Sequence, residues 1–230
     1  MPPALLPAVV PGSAGRLERL KAQHRLPGEA SFFYFDARFN SEAVKVLPGE
    51  YFVCDEDIVV TTTLGSCIAA CLWDRDKRIG GMNHFLLPDM GTGSSPGSGG
   101  DSGRYGGFAM DQLIAEMIKR GATRSSMEAK VFGGGAVVSG MSSMNVGERN
   151  TAFVLEYLRA QGIPVVSKDV MDNCPRKVCF LPVSGKAMVK RLAIAIVRAA
   201  PAAQEQAAAR NAAAAVAAAV AVAVAVVRKP

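Results

Sequence analysis

Histidine is almost absent from this chain: its 230 residues contain two, His24 and His84. Any imidazole chemistry must fall on one of them. His24 lies among Lys21, Gln23 and Arg25, a solvated setting, whereas His84 lies in the apolar run Gly81-Met-Asn-His-Phe-Leu-Leu-Pro88. The five cysteines (Cys54, Cys67, Cys71, Cys174, Cys179) are odd in number and follow no regular framework, which argues against a secreted disulfide scaffold. They also lack the paired C-x2-4-C spacing of a zinc site, so Cys54, Cys67, Cys71 and His84 are not expected to bind metal. No G-x-x-x-x-G-K-S/T phosphate loop is present. Phe132-Gly133-Gly134-Gly135 therefore reads as a tight strand exit, where a substrate backbone can approach closely. The net charge is +6, but no basic stripe interleaved with aromatics accompanies it, so nucleic acid is not an expected partner. The N-terminus has no basic run before its apolar residues, and prolines interrupt them, so it does not resemble a secretory signal. A reducing cytoplasm is the expected location. The longest apolar run, Ala212 to Val227, is sixteen residues of Ala and Val. That is shorter than the roughly 20 residues a spanning helix needs, and membrane insertion is not expected.

Texture divides the chain into an extension (1–28), with at most a short helix near Arg16–Arg25, a folded domain (29–198), and a low-complexity Ala/Val-rich tail (199–230). Within the domain, Ala43–Leu47 and the β-branched Ile58–Thr63 read as strands. The apolar segments Cys67–Trp73 and Ile79–Leu87 flank the polar turn Asp74–Arg78 and read as a hairpin. A two-residue loop at Arg75-Asp76 would set Cys67 directly opposite His84, with Cβ atoms about 4.5–5.5 Å apart. A short helix starting at Cys67 is the competing local reading. A Gly/Ser-rich loop (88–107) follows, of a length usually functional or disordered. Helices are expected around Met110–Ile118 and Gly147–Gln161, with strands at 129–132, 164–170, 177–181 and 186–192. The expected architecture is a single α/β domain in layers, with mixed strands and at least two flanking helices.

Cys67 sits in the tight turn Gly65-Ser66-Cys67, seventeen residues before His84. A Cys/His pair is a candidate for nucleophilic catalysis. An imidazolium beside the thiol would favour thiolate. That thiolate could attack an amide carbonyl, with backbone N–H groups around Gly65–Cys67 stabilising the oxyanion. His84 would then protonate the leaving ammonia and activate water against the thioester. A hydroxyl of Thr61, Thr62 or Thr63 could accept the second ring N–H. Gly65, Ser66, Asn83, Gly133 and Gly134 are further candidates for oxyanion or substrate binding, and Cys71 reads as a buried filler.

Several segments occur together in one order: Leu47-Pro-Gly-Glu50, Thr63-Leu-Gly-Ser-Cys67, Gly80-Gly-Met-Asn-His-Phe-Leu-Leu-Pro88, Arg104-Tyr-Gly106, Lys130-Val-Phe-Gly-Gly134 and Gly147-Glu-Arg-Asn150. This set resembles CheD, the chemoreceptor glutamine deamidase family of bacterial chemotaxis, over roughly residues 30–197. Asp169…Pro175-Arg-Lys-Val178 resembles its proteobacterial branch. The resemblance implies a three-layer α/β sandwich and conversion of receptor glutamine to glutamate and ammonia without a cofactor. It places the nucleophile on Cys67, the histidine on His84 and the threonine, six residues before the cysteine, on Thr61. The implied substrate is the cytoplasmic helical region of methyl-accepting chemotaxis proteins, and some family members also bind a CheC-type phosphatase. Two other readings stand beside this one: an adaptor that binds receptors without turnover, and hydrolysis of receptor methyl esters at the same site.

Overall fold

The structure is a computed structural model in which residues 13–88, 102–136 and 146–193 are described. Its elements in chain order are α1 (Ser13–Ala22), β1 (Phe32–Asp36), β2 (Ser41–Lys45), β3 (Tyr51–Cys54), β4 (Val59–Leu64), β5 (Ile68–Asp74), β6 (Ile79–Asn83), α2 (Gly106–Lys119), β7 (Met127–Gly133), α3 (Val146–Ala160), β8 (Val165–Val170), β9 (Arg176–Leu181) and β10 (Lys186–Arg191). The strands form two five-stranded sheets, β3-β6-β5-β7-β8 and β1-β2-β4-β9-β10. Each sheet is mixed, with one parallel pair, β7–β8 in the first and β2–β4 in the second.

Strand alternation separates two cores. On β5, Ile68, Ala70 and Leu72 face one side and pack with Met110, Leu113, Ile114 and Met117 of α2 and Val154 and Leu158 of α3. Ala69 and Cys71 face the other side, where Phe52, Met82 and Phe132 of the first sheet meet Val44, Val60, Leu64, Val178 and Phe180 of the second. The result is a helix layer on one sheet and a second sheet on its other face, the α/β three-layer arrangement expected. Leu17 and Leu20 of α1 join the core between the sheets. Among the described residues no helix is long and apolar enough to cross a membrane.

The β5–β6 hairpin differs from the expected register. Asp74 pairs with Ile79 and Cys71 with Met82, so the loop has four residues, Arg75–Arg78, rather than two. The cause is Asp74, a fully buried carboxylate whose Oδ1 accepts the N–H groups of Asp76 and Lys77 at 2.9 Å. Arg78 closes the turn at φ 57°. Cys67 therefore does not lie directly opposite His84. Ile68 bridges to Phe85, which puts His84 opposite Ala69. Because the slip is of two residues, every side chain keeps its expected face. Cys67 leads into strand β5 and starts no helix. Strand β3 follows the Pro48-Gly49 turn and has no counterpart in the sequence reading. Helix α2 begins at Gly106, inside the segment read as loop 88–107, most of which lies outside the described residues, as does the Ala/Val tail.

Candidate active site

Thr62 belongs to β4 and shares its inward face with Val60 and Leu64, so its hydroxyl enters the space between the sheets. There its Oγ1 lies 2.8 Å from His84 Nδ1 and 2.8 Å from the Val46 carbonyl. The geometry fixes the tautomer. A hydroxyl has one proton, and a carbonyl can only accept. The Thr62 proton therefore goes to Val46, and the Thr62 oxygen must accept from Nδ1–H. His84 thus carries its hydrogen on Nδ1 and presents Nε2 as a lone pair. Nε2 is buried and has no hydrogen-bond partner among the described residues.

Thr61 does not do this. Neighbouring strand residues point to opposite faces. Thr61 lies with Val59 on the outer face, where its Oγ1 is 3.2 Å from the Tyr34 hydroxyl. The threonine that holds the imidazole is Thr62, one position later than the resemblance implied.

The backbone of His84 is pinned from both sides by the turn Leu47-Pro-Gly-Glu50. Its N–H donates to the Glu50 carbonyl at 2.9 Å, and its carbonyl accepts from Gly49 at 2.7 Å. Glu50 closes that turn by accepting the Leu47 N–H at 2.8 Å, and burial pushes its carboxyl pKa upward. Burial dominates the imidazole too, pushing His84 down to about 4; the Val46 carbonyl opposes this and the positive charge of Lys45 adds to it. A pKa that low leaves the imidazole uncharged at neutral pH.

Cys67 is half-buried at the entrance to β5 and packs against the core between the sheets, on the face that His84 occupies. The ladder makes the two diagonal neighbours rather than a direct pair, an arrangement still within reach of long side chains. Three hydrogen bonds fix the turn before it. The Gly65 carbonyl accepts from Gly135 N–H at 2.8 Å, the Cys67 carbonyl accepts from Gly134 N–H at 2.8 Å, and the Ser66 carbonyl accepts from Asn150 Nδ2 at 3.0 Å. No peptide among the described residues is cis. In a planar trans peptide the N–H points opposite the preceding carbonyl. The N–H groups of Ser66 and Cys67 are accordingly turned away from Gly135 and Asn150.

Gly133 and Gly134, read from sequence as substrate or oxyanion candidates, pack closely against this turn. A Cβ on Gly133 would sit 2.0 Å from the Cys67 carbonyl, and one on Gly134 2.2 Å from Thr151 Oγ1; both have positive φ, 114° and 67°. Only glycine lets the strand exit approach so closely. Asn83 is not in the site. It lies on the opposite face from His84, where Oδ1 accepts the Ala70 N–H and Nδ2 donates to the Ala109 carbonyl, joining the hairpin to α2.

Asn150 was not among the candidate site residues read from the sequence. It is fully buried, and Nδ2 donates to the carbonyls of Ser66 (3.0 Å) and Leu86 (2.8 Å), tying the cysteine turn to the segment after His84. The signal was its place in Gly147-Glu-Arg-Asn150. Arg176, also fully buried, backs the same turn by donating to the Gly133 carbonyl at 3.1 Å and pairing with Asp169 at 2.9 Å. Among the described residues no group of three His, Cys, Asp or Glu side chains is placed to hold a metal ion.

Residues 86–191 match the family model described as CheD chemotactic sensory transduction. A protein of Albidiferax ferrireducens named probable chemoreceptor glutamine deamidase CheD 1 is 61% identical over 81% of this chain and 78% of its own length. A protein of the same name from Dechloromonas aromatica is 54% identical over 69% of this chain and 78% of its own. One from Bordetella petrii, named probable chemoreceptor glutamine deamidase CheD, is 54% identical over 74% and 75%.

Proposed function

The chain belongs to the CheD family, and from that premise we propose that it is a chemoreceptor glutamine deamidase using Cys67 as nucleophile and His84 as base and then acid. The observation that carries the mechanism is the orientation of His84: Nδ1–H is committed to Thr62, and Nε2 is buried, without a partner among the described residues, on the face shared with Cys67.

The steps follow from that geometry. Nε2 takes the Cys67 thiol proton as sulfur bonds to the carbon of the substrate carboxamide. The carbonyl oxygen becomes an oxyanion facing the N–H groups of Ser66 and Cys67, whose direction the Gly135 and Asn150 contacts set beforehand. The C–N bond then breaks, imidazolium Nε2–H protonates the departing amine, and ammonia leaves a thioester. Neutral His84 next takes a proton from water, hydroxide adds to the thioester, and collapse returns the thiol and a glutamate. Gly133, Gly134, Asn150 and Arg176 position the turn without touching substrate. The partner is the cytoplasmic helical region of methyl-accepting chemotaxis proteins.

The test is ammonia release, with the Gln-to-Glu mass change, from a purified receptor cytoplasmic fragment. Cys67→Ala should abolish both and leave the melting temperature unchanged. Full turnover by that variant would remove the mechanism, and release of methanol rather than ammonia would reassign the reaction to ester hydrolysis.

A further inference from the structure

Helix α3 supplies Asn150, whose Nδ2 bridges the Ser66 and Leu86 carbonyls beside the nucleophile. The residue before it, Arg149, is exposed and makes no hydrogen bond or ion pair among the described residues. It stands in the first turn of a 15-residue helix, where free N–H groups and the helix dipole favour an anion and disfavour a cation. The carboxylates of α2 and α3 do not answer it. Glu148 lies about 100° round the helix. Glu156 pairs with Arg159, Glu116 pairs with Lys119, and Asp111 accepts the Tyr157 hydroxyl.

Residues three and four apart share a helix flank, so Val146 and Phe153 stand on either side of Arg149. The Phe153 ring closes on Gly106, where a Cβ would meet it at 2.5 Å, and Gly106 donates its N–H to the Leu87 carbonyl at 2.8 Å. The flank bearing Arg149 therefore borders the segment that follows His84. Leu87 in that segment is held at both backbone groups, since its own N–H donates to the Arg104 carbonyl at 3.0 Å. Its side chain is nevertheless 40% exposed, and that of Val146 is 37% exposed. A cation between two exposed apolar side chains, tied through Asn150 to the Cys67 turn, complements an amphipathic helix with an acid on its docking face. Positions three, four and seven away from a helical residue share its face. Resting on the deamidase reading, we propose that Arg149 pairs with a substrate carboxylate at one of those positions from the target glutamine. Leu87 and Val146 receive apolar side chains of the same helix face, and the acid beside a glutamine marks it for selection.

Steady-state deamidation of the receptor fragment by Arg149→Glu, Arg149→Lys and Leu87→Ser tests this. Arg149→Glu should raise KM about tenfold, because like charges then face each other across the contact, with kcat within about twofold. Arg149→Lys keeps the charge and should stay near wild type, and Leu87→Ser should raise KM as well. Replacing the substrate acid at the selecting position by lysine should raise the wild-type KM similarly and restore KM in Arg149→Glu. The melting temperature should hold or rise in Arg149→Glu, since an acid suits the first turn of a helix, and Cys67 alkylation should not change. An unchanged KM in Arg149→Glu or in Leu87→Ser overturns the proposal. So does a loss confined to kcat, or a raised KM in Arg149→Glu that no substrate lysine at the three spacings restores. Should the wild type show no turnover, the deamidase reading fails by itself. Binding of the same fragments to the Cys67→Ala chain, with and without Arg149→Glu and read by fluorescence anisotropy, then decides the docking separately.

Discussion

Replacing Thr62 with valine removes one oxygen and keeps the shape of the side chain. That oxygen makes two contacts, accepting from His84 Nδ1 and donating to the Val46 carbonyl, both at 2.8 Å. Both partners would be left inside a core between sheets, where an unsatisfied polar group costs about 1–3 kcal/mol. With Nδ1–H unsupported, the tautomer carrying hydrogen on Nε2 becomes competitive, and that form cannot accept the thiol proton. If the loss falls on the transition state, kcat drops by about tenfold to a hundredfold, at 1.36 kcal/mol per factor of ten. Thr61→Val is the matched control. It also removes one hydroxyl from a buried position on β4, but from the face opposite His84, where Tyr34 is its partner. Its kcat should stay within about twofold, the effect of a change remote from the site. The assay is ammonia release at saturating receptor fragment. A larger loss in Thr61→Val than in Thr62→Val would refute the orientation argument.

Acid should reveal the buried base in stability as well as rate. A His84 pKa near 4 in the folded chain, against about 6.5 unfolded, means the unfolded state binds the extra proton first. Stability is then complete above pH 6.5 and falls by about 3 kcal/mol as pH drops towards 4; the denaturant midpoint of His84→Gln should lack that part of the slope, and a slope equal to wild type would contradict it. Iodoacetamide should label Cys67 ahead of Cys54, Cys71 and Cys179, because burial keeps those three thiols protonated, with Cys54 near 12; peptide mass mapping decides, and first labelling of any of the three would count against it. Gly133→Ala should lose activity more than about tenfold and destabilise the fold by about 1–3 kcal/mol through overpacking, given a Cβ 2.0 Å from the Cys67 carbonyl; a wild-type rate would show that the strand exit does not position the nucleophile. Asn150→Ala should lower kcat with little change in KM and destabilise by about 1–2 kcal/mol, since two part-buried carbonyls lose their donor; a change in KM alone would place Asn150 at the substrate instead.

The faces of the site were legible in the sequence, whereas its distances were not. Alternation along Cys67–Trp73 and Ile79–Leu87 put sulfur and imidazole on one side of the sheet whatever even shift the hairpin took. The loop length depended on Asp74 turning back on its own turn, a side-chain bond that β-propensity does not register. Among three consecutive threonines the sequence offered no choice, because the face of β4 that meets the other sheet is set by the tertiary packing of Val60 and Leu64. Asn83 misled because a polar residue beside the histidine looks catalytic, yet adjacency in a strand guarantees the opposite face. Asn150 lies more than sixty residues from either catalytic candidate, and its place in Gly147-Glu-Arg-Asn150 marked it without indicating the backbone carbonyls of Ser66 and Leu86 that it meets.

For the proposed nucleophile Cys67, a base held neutral by burial changes how the thiol must be activated. Charging His84 at pH 7 against a pKa near 4 costs about 4 kcal/mol. A preformed thiolate–imidazolium pair is therefore disfavoured before substrate binds, and the proton transfer must be offset by interactions that exist only as the reaction proceeds. The developing oxyanion supplies one such interaction. His84 itself is buried, and beside a buried imidazolium the attraction of an opposite charge is stronger than in solvent. Thr62 supplies the other, since Nδ1–H becomes a stronger donor once the ring is charged. The arrangement ties reactivity to a carbonyl placed against the turned N–H groups of Ser66 and Cys67. A small alkylating reagent cannot form that oxyanion, so its reaction with Cys67 should be slow relative to deamidation of bound receptor.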